Sequence, residues 1–358
     1  MSVARPLLAT VLVVALALPA GAADEDTIRC TDPSDDVDRL EIVVEGEVAT
    51  GRFALPAHEP TGLVVIGHGY GHTSRSWKHH MQTMAKHGLV AVTMDYRGTR
   101  IGRKPEVGGS PTVRGWPAMD GAEDLIAAAR LFDEWCAPPV VTLLGVSMGG
   151  NITGVALAKA GERGIRGHDG SPLFDYWIDV EGVVNLVETY LEGRTACAAL
   201  GVGCREVEDM HREAGGPIEQ RPEAYVERSV VARIGDVRAS GVRGVIVSHG
   251  VDDGLVPYNQ SREISTELRL VGVPTEMRTV GLEDEDTERE TTLTGHLVGQ
   301  IEPGYDSPLA GHASERSTTH IVMEDALDRL WTLMGGSQPA NRECAVNGQV
   351  PARVLCTP

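Results

Sequence analysis

A glycine-flanked serine, an aspartate about a hundred residues later and several histidines beyond it are the side chains whose types and spacing suit chemistry, and the chemistry they suit is attack on an acyl carbon. Ser147 lies in Gly145-Val146-Ser147-Met148-Gly149-Gly150, with an apolar run at 140–144 before it and a small-residue helix expected at 151–160 after it. Strand, sharp turn and helix form the setting in which G-x-S-x-G presents a nucleophilic hydroxyl, because neighbours without Cβ let strand and helix approach. That hydroxyl is a poor nucleophile at neutral pH, so it needs an imidazole within reach and a carboxylate to orient the imidazole. His249-Gly250-Val251-Asp252-Asp253-Gly254-Leu255-Val256-Pro257 follows another apolar run and offers Asp253 as the acid, with Asp252 as the neighbour pointing to a different side. Three histidines follow. His312 stands on the loop just before the last helix, where a base is expected; His296 is the alternative base, and His320 reads as a packing or helix-surface residue. The charge that develops on the attacked carbonyl calls for two backbone N–H groups. Met148 supplies one and Tyr70, in Gly67-His68-Gly69-Tyr70-Gly71-His72, the other, with His68 holding that loop.

These residues must be carried by elements that bring them to one place. A short, wholly apolar run at 62–67 is of the kind buried on both faces of a parallel sheet, and similar, largely apolar runs recur at 89–94, 140–144, 178–184, 242–247 and 273–280. Alternating strands precede them at 40–44 and 48–55, and helical patterns lie between them at 77–87, 119–135 and 260–271. The alternation predicts an α/β fold, a doubly wound, mostly parallel sheet whose strand ends carry the site. Two stretches interrupt it. Residues 186–235, with Cys197, Cys204 and acidic helices, read as an inserted cap, and residues 282–316 read as a long polar loop. An amphipathic helix at 317–334, capped by Ser317 or Thr318, closes the domain, and 336–358 reads as a tail pinned by Cys344 and Cys356.

Residues 1–22 have a charged start, an apolar run at 7–18 and Ala20-Gly21-Ala22, the pattern of a secretory signal, which leaves 23–358 as the mature domain. The run is too short to span a bilayer, and no later one approaches that length, so an exported protein without a membrane span is expected. Export makes the six cysteines candidates for pairing. Proximity favours Cys197 with Cys204 and Cys344 with Cys356, leaving Cys30 for Cys136. Metal binding is not expected, since no C-x-x-C or clustered Cys/His spacing occurs. A net charge of −19 over 358 residues with only four lysines argues against nucleic acid as a partner.

Together these residues resemble the α/β-hydrolase superfamily, and within it the dienelactone-hydrolase and prolyl-oligopeptidase-like serine hydrolases. Gly67-His68-Gly69-Tyr70, Asp95-Tyr96-Arg97-Gly98, the Ser147 elbow, Tyr225 with Arg228-Ser229, and His249-Gly250 through Val256-Pro257 carry the likeness, which covers about 40–335. The resemblance implies Ser147, Asp253 and His312 as a triad, an ester or amide substrate, small or polymeric, and no cofactor. Carboxylester cleavage through an acyl-enzyme is the expected activity. Alternatives are a secreted prolyl-oligopeptidase-like peptidase, a polyester hydrolase (suggested by the Tyr70 and Met148 pairing), and a binding protein on an inactive hydrolase scaffold.

Overall fold

The computed structural model describes residues 30–102, 113–281, 312–347 and 353–358, apart from 33, 35, 202, 252 and 319. The 1–22 leader, Asp252, His296 and nearly all of the 282–316 loop lie outside the described residues.

Ten strands of the described residues form one sheet. In chain order they are β1 (Asp38–Val44), β2 (Glu47–Ala54), β3 (Gly62–Gly67), β4 (Leu89–Met94), β7 (Val141–Val146), β8 (Tyr176–Val180), β9 (Gly244–Gly250), β10 (Thr275–Gly281), β11 (Arg342–Asn347) and β12 (Arg353–Thr357). Two-residue strands β5 (Arg100–Ile101) and β6 (Val113–Arg114) pair apart from it. Across the sheet the order is β1-β2-β4-β3-β7-β8-β9-β10-β11-β12. The seven strands from β4 to β11 in that order run parallel, while β1, β2 and β12 are antiparallel additions at the edges. The expected doubly wound, mostly parallel sheet is therefore present.

Strand alternation divides the core into two layers. On β3, Leu63 and Val65 join the layer packed under helices α2 (Ala118–Cys136) and α3 (Met148–Arg163), whereas Val64 and Ile66 face α1 (Lys78–Lys86) and the closing helix Ile321–Met334. Every residue of β3, β4 and β7 is buried, which is why these strands read as unbroken apolar runs rather than alternating ones.

Between β8 and β9 the chain adds α4 (Leu186–Leu200), α5 (Cys204–Glu213), α6 (Pro222–Glu227) and α7 (Ile234–Ala239). The Cys197 and Cys204 disulfide joins α4 to α5, and Ser229 Oγ accepts from Leu186 N at 2.9 Å, closing the insertion at its base. Helix α7 packs on α3, with Gly161 directly beneath the Asp236 carbonyl, so the segment after about 230 belongs to the sheet's covering layer.

The end of the chain, which carries the Cys344 to Cys356 disulfide, also adds two strands to the sheet. Residues 342–347 form β11, which pairs with β10 because Cys344 and Val346 turn inward while their neighbours face out, and β12 hairpins back through the Cys344 to Cys356 disulfide. The closing helix starts at Ile321 rather than 317; Ser317 still serves it, since its Oγ accepts from His320 N at 2.9 Å. The third disulfide joins Cys30 to Cys136, and no cysteine is free.

Candidate active site

Ser147 links β7 to α3 with φ 56° and ψ −123°, a conformation rare for any residue with a Cβ. The strain is held by close packing: a Cβ on Gly145 would lie 2.4 Å from the Gly149 carbonyl, and one on Gly149 only 2.1 Å from that of Gly67. Ser147 N donates to Val180 O at 3.0 Å, tying the elbow to the end of β8. Met148 is the first residue of α3, so its N–H belongs to the helix's first turn, which has no intrahelical acceptor and carries the positive end of the dipole. The Gly67 to His72 loop lies against the elbow, where a Cβ added to Gly69 would come within 3.5 Å of Ser147 Cβ.

His312 and Asp253 meet. Nδ1 of the imidazole donates to Asp253 Oδ2 at 2.9 Å, and both residues are buried. The other carboxylate oxygen accepts from Leu255 N at 2.7 Å and Val256 N at 3.0 Å, so Asp253 is locked in its own turn. His249, the first residue of that motif, is buried beneath it: Ser261 Oγ donates to its Nδ1 at 2.7 Å and its Nε2 donates to Val256 O at 3.0 Å. Ser147 joins the same strand end through Val180, but among the described residues no hydrogen bond connects its Oγ to the His312 ring. In hydrolases that contact commonly tightens only with substrate bound.

A second carboxylate adjoins the imidazole. Glu181 directly follows β8, is fully buried with φ 49°, and places Oε2 3.2 Å from His312 Nδ1. The same oxygen accepts from Ala313 N at 2.5 Å, and Oε1 accepts from Gly250 N at 2.9 Å. Burial works against charge on His312, yet Asp253 and Glu181 outweigh it and hold its pKa well above 6.5. Burial likewise opposes charge on Asp253, but His312 and His249 keep its carboxyl far below the usual range. Among the described residues, Glu181, Asp253 and His312 are the group whose ligand atoms, within 4.8 Å of one another, have metal-binding spacing. Their carboxylate oxygens already accept four backbone N–H groups, an arrangement suited to orienting a protonated imidazole.

His68 is buried, its Nδ1 lies 3.0 Å from Gly69 O and its ring stacks on Tyr96, while burial lowers its pKa; it holds the loop. Tyr70 is tied through its hydroxyl to Asp209 of α5 at 2.7 Å. That buried aspartate also accepts from Arg114 Nε at 2.7 Å and Arg100 Nη2 at 2.8 Å, so the insertion grips the Tyr70 loop. Asp95 and Arg97 do not pair with each other: Asp95 accepts from Ser74 N at 2.8 Å, and Arg97 Nε donates to Asp124 at 2.6 Å. His320 is buried and sits outside this cluster, as a packing residue.

Three residues escaped the sequence reading. Glu181 had a signal, since an acid inside an apolar run is costly to bury without partners. Glu315 and Asp209 had none. Glu315, buried on the His312 segment, accepts a short hydrogen bond from Gly69 N and lies 3.4 Å from His72 Nε2, tying the Tyr70 loop to the His312 loop.

Residues 75–284 match the model of the prolyl oligopeptidase family. No curated protein matches the sequence. Among solved structures, acylaminoacyl peptidase from Pyrococcus horikoshii is 16% identical with a TM-score of 0.51, covering 84% of this chain and 40% of its own. A puromycin hydrolase is 17% identical (TM-score 0.53; 87% and 42%), and the Pyrobaculum calidifontis esterase 18% identical (TM-score 0.50; 68% and 75%). At these identities the likeness is one of fold. The chain spans about two fifths of the length of the first two.

Proposed function

Because the chain belongs to the prolyl oligopeptidase family and is a serine hydrolase of the α/β-hydrolase superfamily, we propose that it is an exported carboxylesterase acting through an acyl-enzyme on Ser147. The observation that carries this reading is the buried His312 and Asp253 pair at the same sheet edge as the strained Ser147 elbow. His312 takes the Ser147 proton on Nε2 as Oγ attacks the ester carbonyl, and Asp253 orients the ring through Nδ1. The Met148 and Tyr70 amides receive the oxyanion. Collapse of the tetrahedral intermediate expels the alcohol, protonated by His312, and water then releases the acid by the same steps. Glu181 acts as a positioning residue that holds the imidazole from a second side. The helices of the 186–235 insertion form a cap whose Asp209 steadies the oxyanion loop, and the three disulfides favour an oxidising compartment after removal of residues 1–22.

Two carboxylates on one imidazole make it a stronger base and a weaker acid. That balance suits esters with good leaving groups better than amides, whose amine must be protonated to depart. The family's name keeps peptide hydrolysis as the second reading. Fluorophosphonate labelling with a panel of p-nitrophenyl esters and aminoacyl p-nitroanilides tests both. Wild type is expected to label and to turn over esters faster than anilides, while Ser147→Ala loses the label and at least about 10³-fold in kcat. Faster anilide cleavage would select the peptidase reading, and a folded wild-type protein that neither labels nor turns over would leave only the binding scaffold.

A further inference from the structure

We propose that a groove lined by Arg39, Arg52, Arg75, Lys78 and Arg316 binds an anionic group of the substrate, a carboxylate or phosphate set apart from the scissile bond. This rests on the hydrolase reading for its link to turnover, though not for the binding itself. The groove has a volume of about 820 Å³, and these five permanent cations face only two carboxylates in it, Glu41 and Asp95. Such a concentration stands out in a chain whose net charge is −19.

The cations are crowded, and among the described residues they form no ion pairs. Arg39 and Arg52 sit directly opposite each other on β1 and β2, where side chains are about 5 Å apart at Cβ and like charges destabilise the pair. Burial and then Arg75 lower the pKa of Arg52, and Arg39 adds to this, while Asp95 opposes them in part. Elsewhere arginines are neutralised: Arg97, Arg114, Arg212, Arg278 and Arg329 each hold a carboxylate. Among the described residues, none of the five groove cations has a carboxylate within 4 Å. Asp95 is occupied, accepting from Ser74 N at 2.8 Å and Thr50 Oγ1 at 3.3 Å. A fold that tolerates this repulsion leaves a charge deficit that a bound anion would fill.

The chain connects the groove to the proposed reaction centre. Gly71 and Thr73 in its wall continue the loop that carries Tyr70, and Arg316 stands four residues beyond His312, next to the Glu315 that holds Gly69 N. A substrate with its carbonyl against Ser147 can therefore extend along the Tyr70 loop and meet these guanidinium groups. The substrate class is an ester whose acyl or alcohol part bears a negative charge.

Calorimetric titration with citrate and with pyrophosphate distinguishes carboxylate from phosphate and needs no turnover. Wild type is expected to bind at least one of them, more weakly as salt rises. The double variant Arg39→Gln, Arg52→Gln should bind about tenfold more weakly while melting at an equal or higher temperature at low salt, since the like-charge pair is relieved. With mono-p-nitrophenyl succinate and p-nitrophenyl butyrate, the ratio of kcat/KM for the charged over the neutral ester should fall severalfold in that variant. Failure of wild type to bind either anion, or equal binding by the variant, overturns the proposal. So does a lower melting temperature in the variant, which would make the arginines structural. Anion binding without turnover of any ester would instead keep the groove and refute the esterase.

Discussion

At the scale of single residues, the site turns on how one imidazole is charged. His312 Nδ1 faces Asp253 at 2.9 Å and Glu181 at 3.2 Å, and removing a negative charge beside an imidazolium lowers its pKa. The neutral base would then persist to lower pH. In wild type the acid limb of kcat/KM should therefore inflect above pH 6.5, and Glu181→Gln should move it downward. Asp253→Asn should lose less than the roughly 10⁴-fold typical when a triad gives up its carboxylate, because Glu181 still holds the ring. The double substitution should lose more than the two single effects combined. A pH profile unmoved by Glu181→Gln would assign that side chain to the backbone amides it receives, Gly250 N and Ala313 N, and to nothing more.

At the scale of elements, what holds β10, β11 and the closing helix together is charge as well as apolar packing. Glu276 of β10 is fully buried and accepts from Arg278 Nη1 at 2.5 Å, Arg329 Nε at 3.1 Å and Arg342 Nη2 at 2.7 Å. Asp325 of the closing helix takes the other side of Arg278 at 2.6 Å. Glu276→Ala would leave Arg329 buried without its carboxylate and should cost about 3–5 kcal/mol in urea unfolding, with an unchanged dependence on denaturant. A loss below about 1 kcal/mol would mean the guanidinium groups reach water instead. The same elements show where sequence reasoning stops. The runs at 62–67 and 89–94 match β3 and β4 because burial on both faces leaves an unmistakable composition. Strand β11 was illegible because its six residues bury only Cys344 and Val346, too few to stand out as a period.

At the scale of the whole molecule, the three cross-links constrain very different lengths of chain. Cys30 and Cys136 are 106 residues apart, whereas Cys197 and Cys204 are separated by 7. If the bonds act mainly on the unfolded chain, replacing the first pair by serines should cost about 4–5 kcal/mol and the second about 2 kcal/mol. Denaturant titration of the two double variants under oxidising conditions checks the order. A larger loss from the short loop would show that the α4 to α5 link acts by holding the insertion's native shape.

By itself the sequence determined the parts whose causes are local. The Ser147 elbow needs glycines on either side of a strained turn, and the buried strands need unbroken apolar runs, so both are written in adjacent residues. Tertiary structure alone decided which distant groups meet beyond the Asp253 and His312 pair already suggested by the sequence: Glu181 on that same imidazole, Glu315 on Gly69 N, and Asp209 on Tyr70. Electrostatic energy depends on separation in space, and residues a hundred or more positions apart leave no periodicity from which that separation could be read.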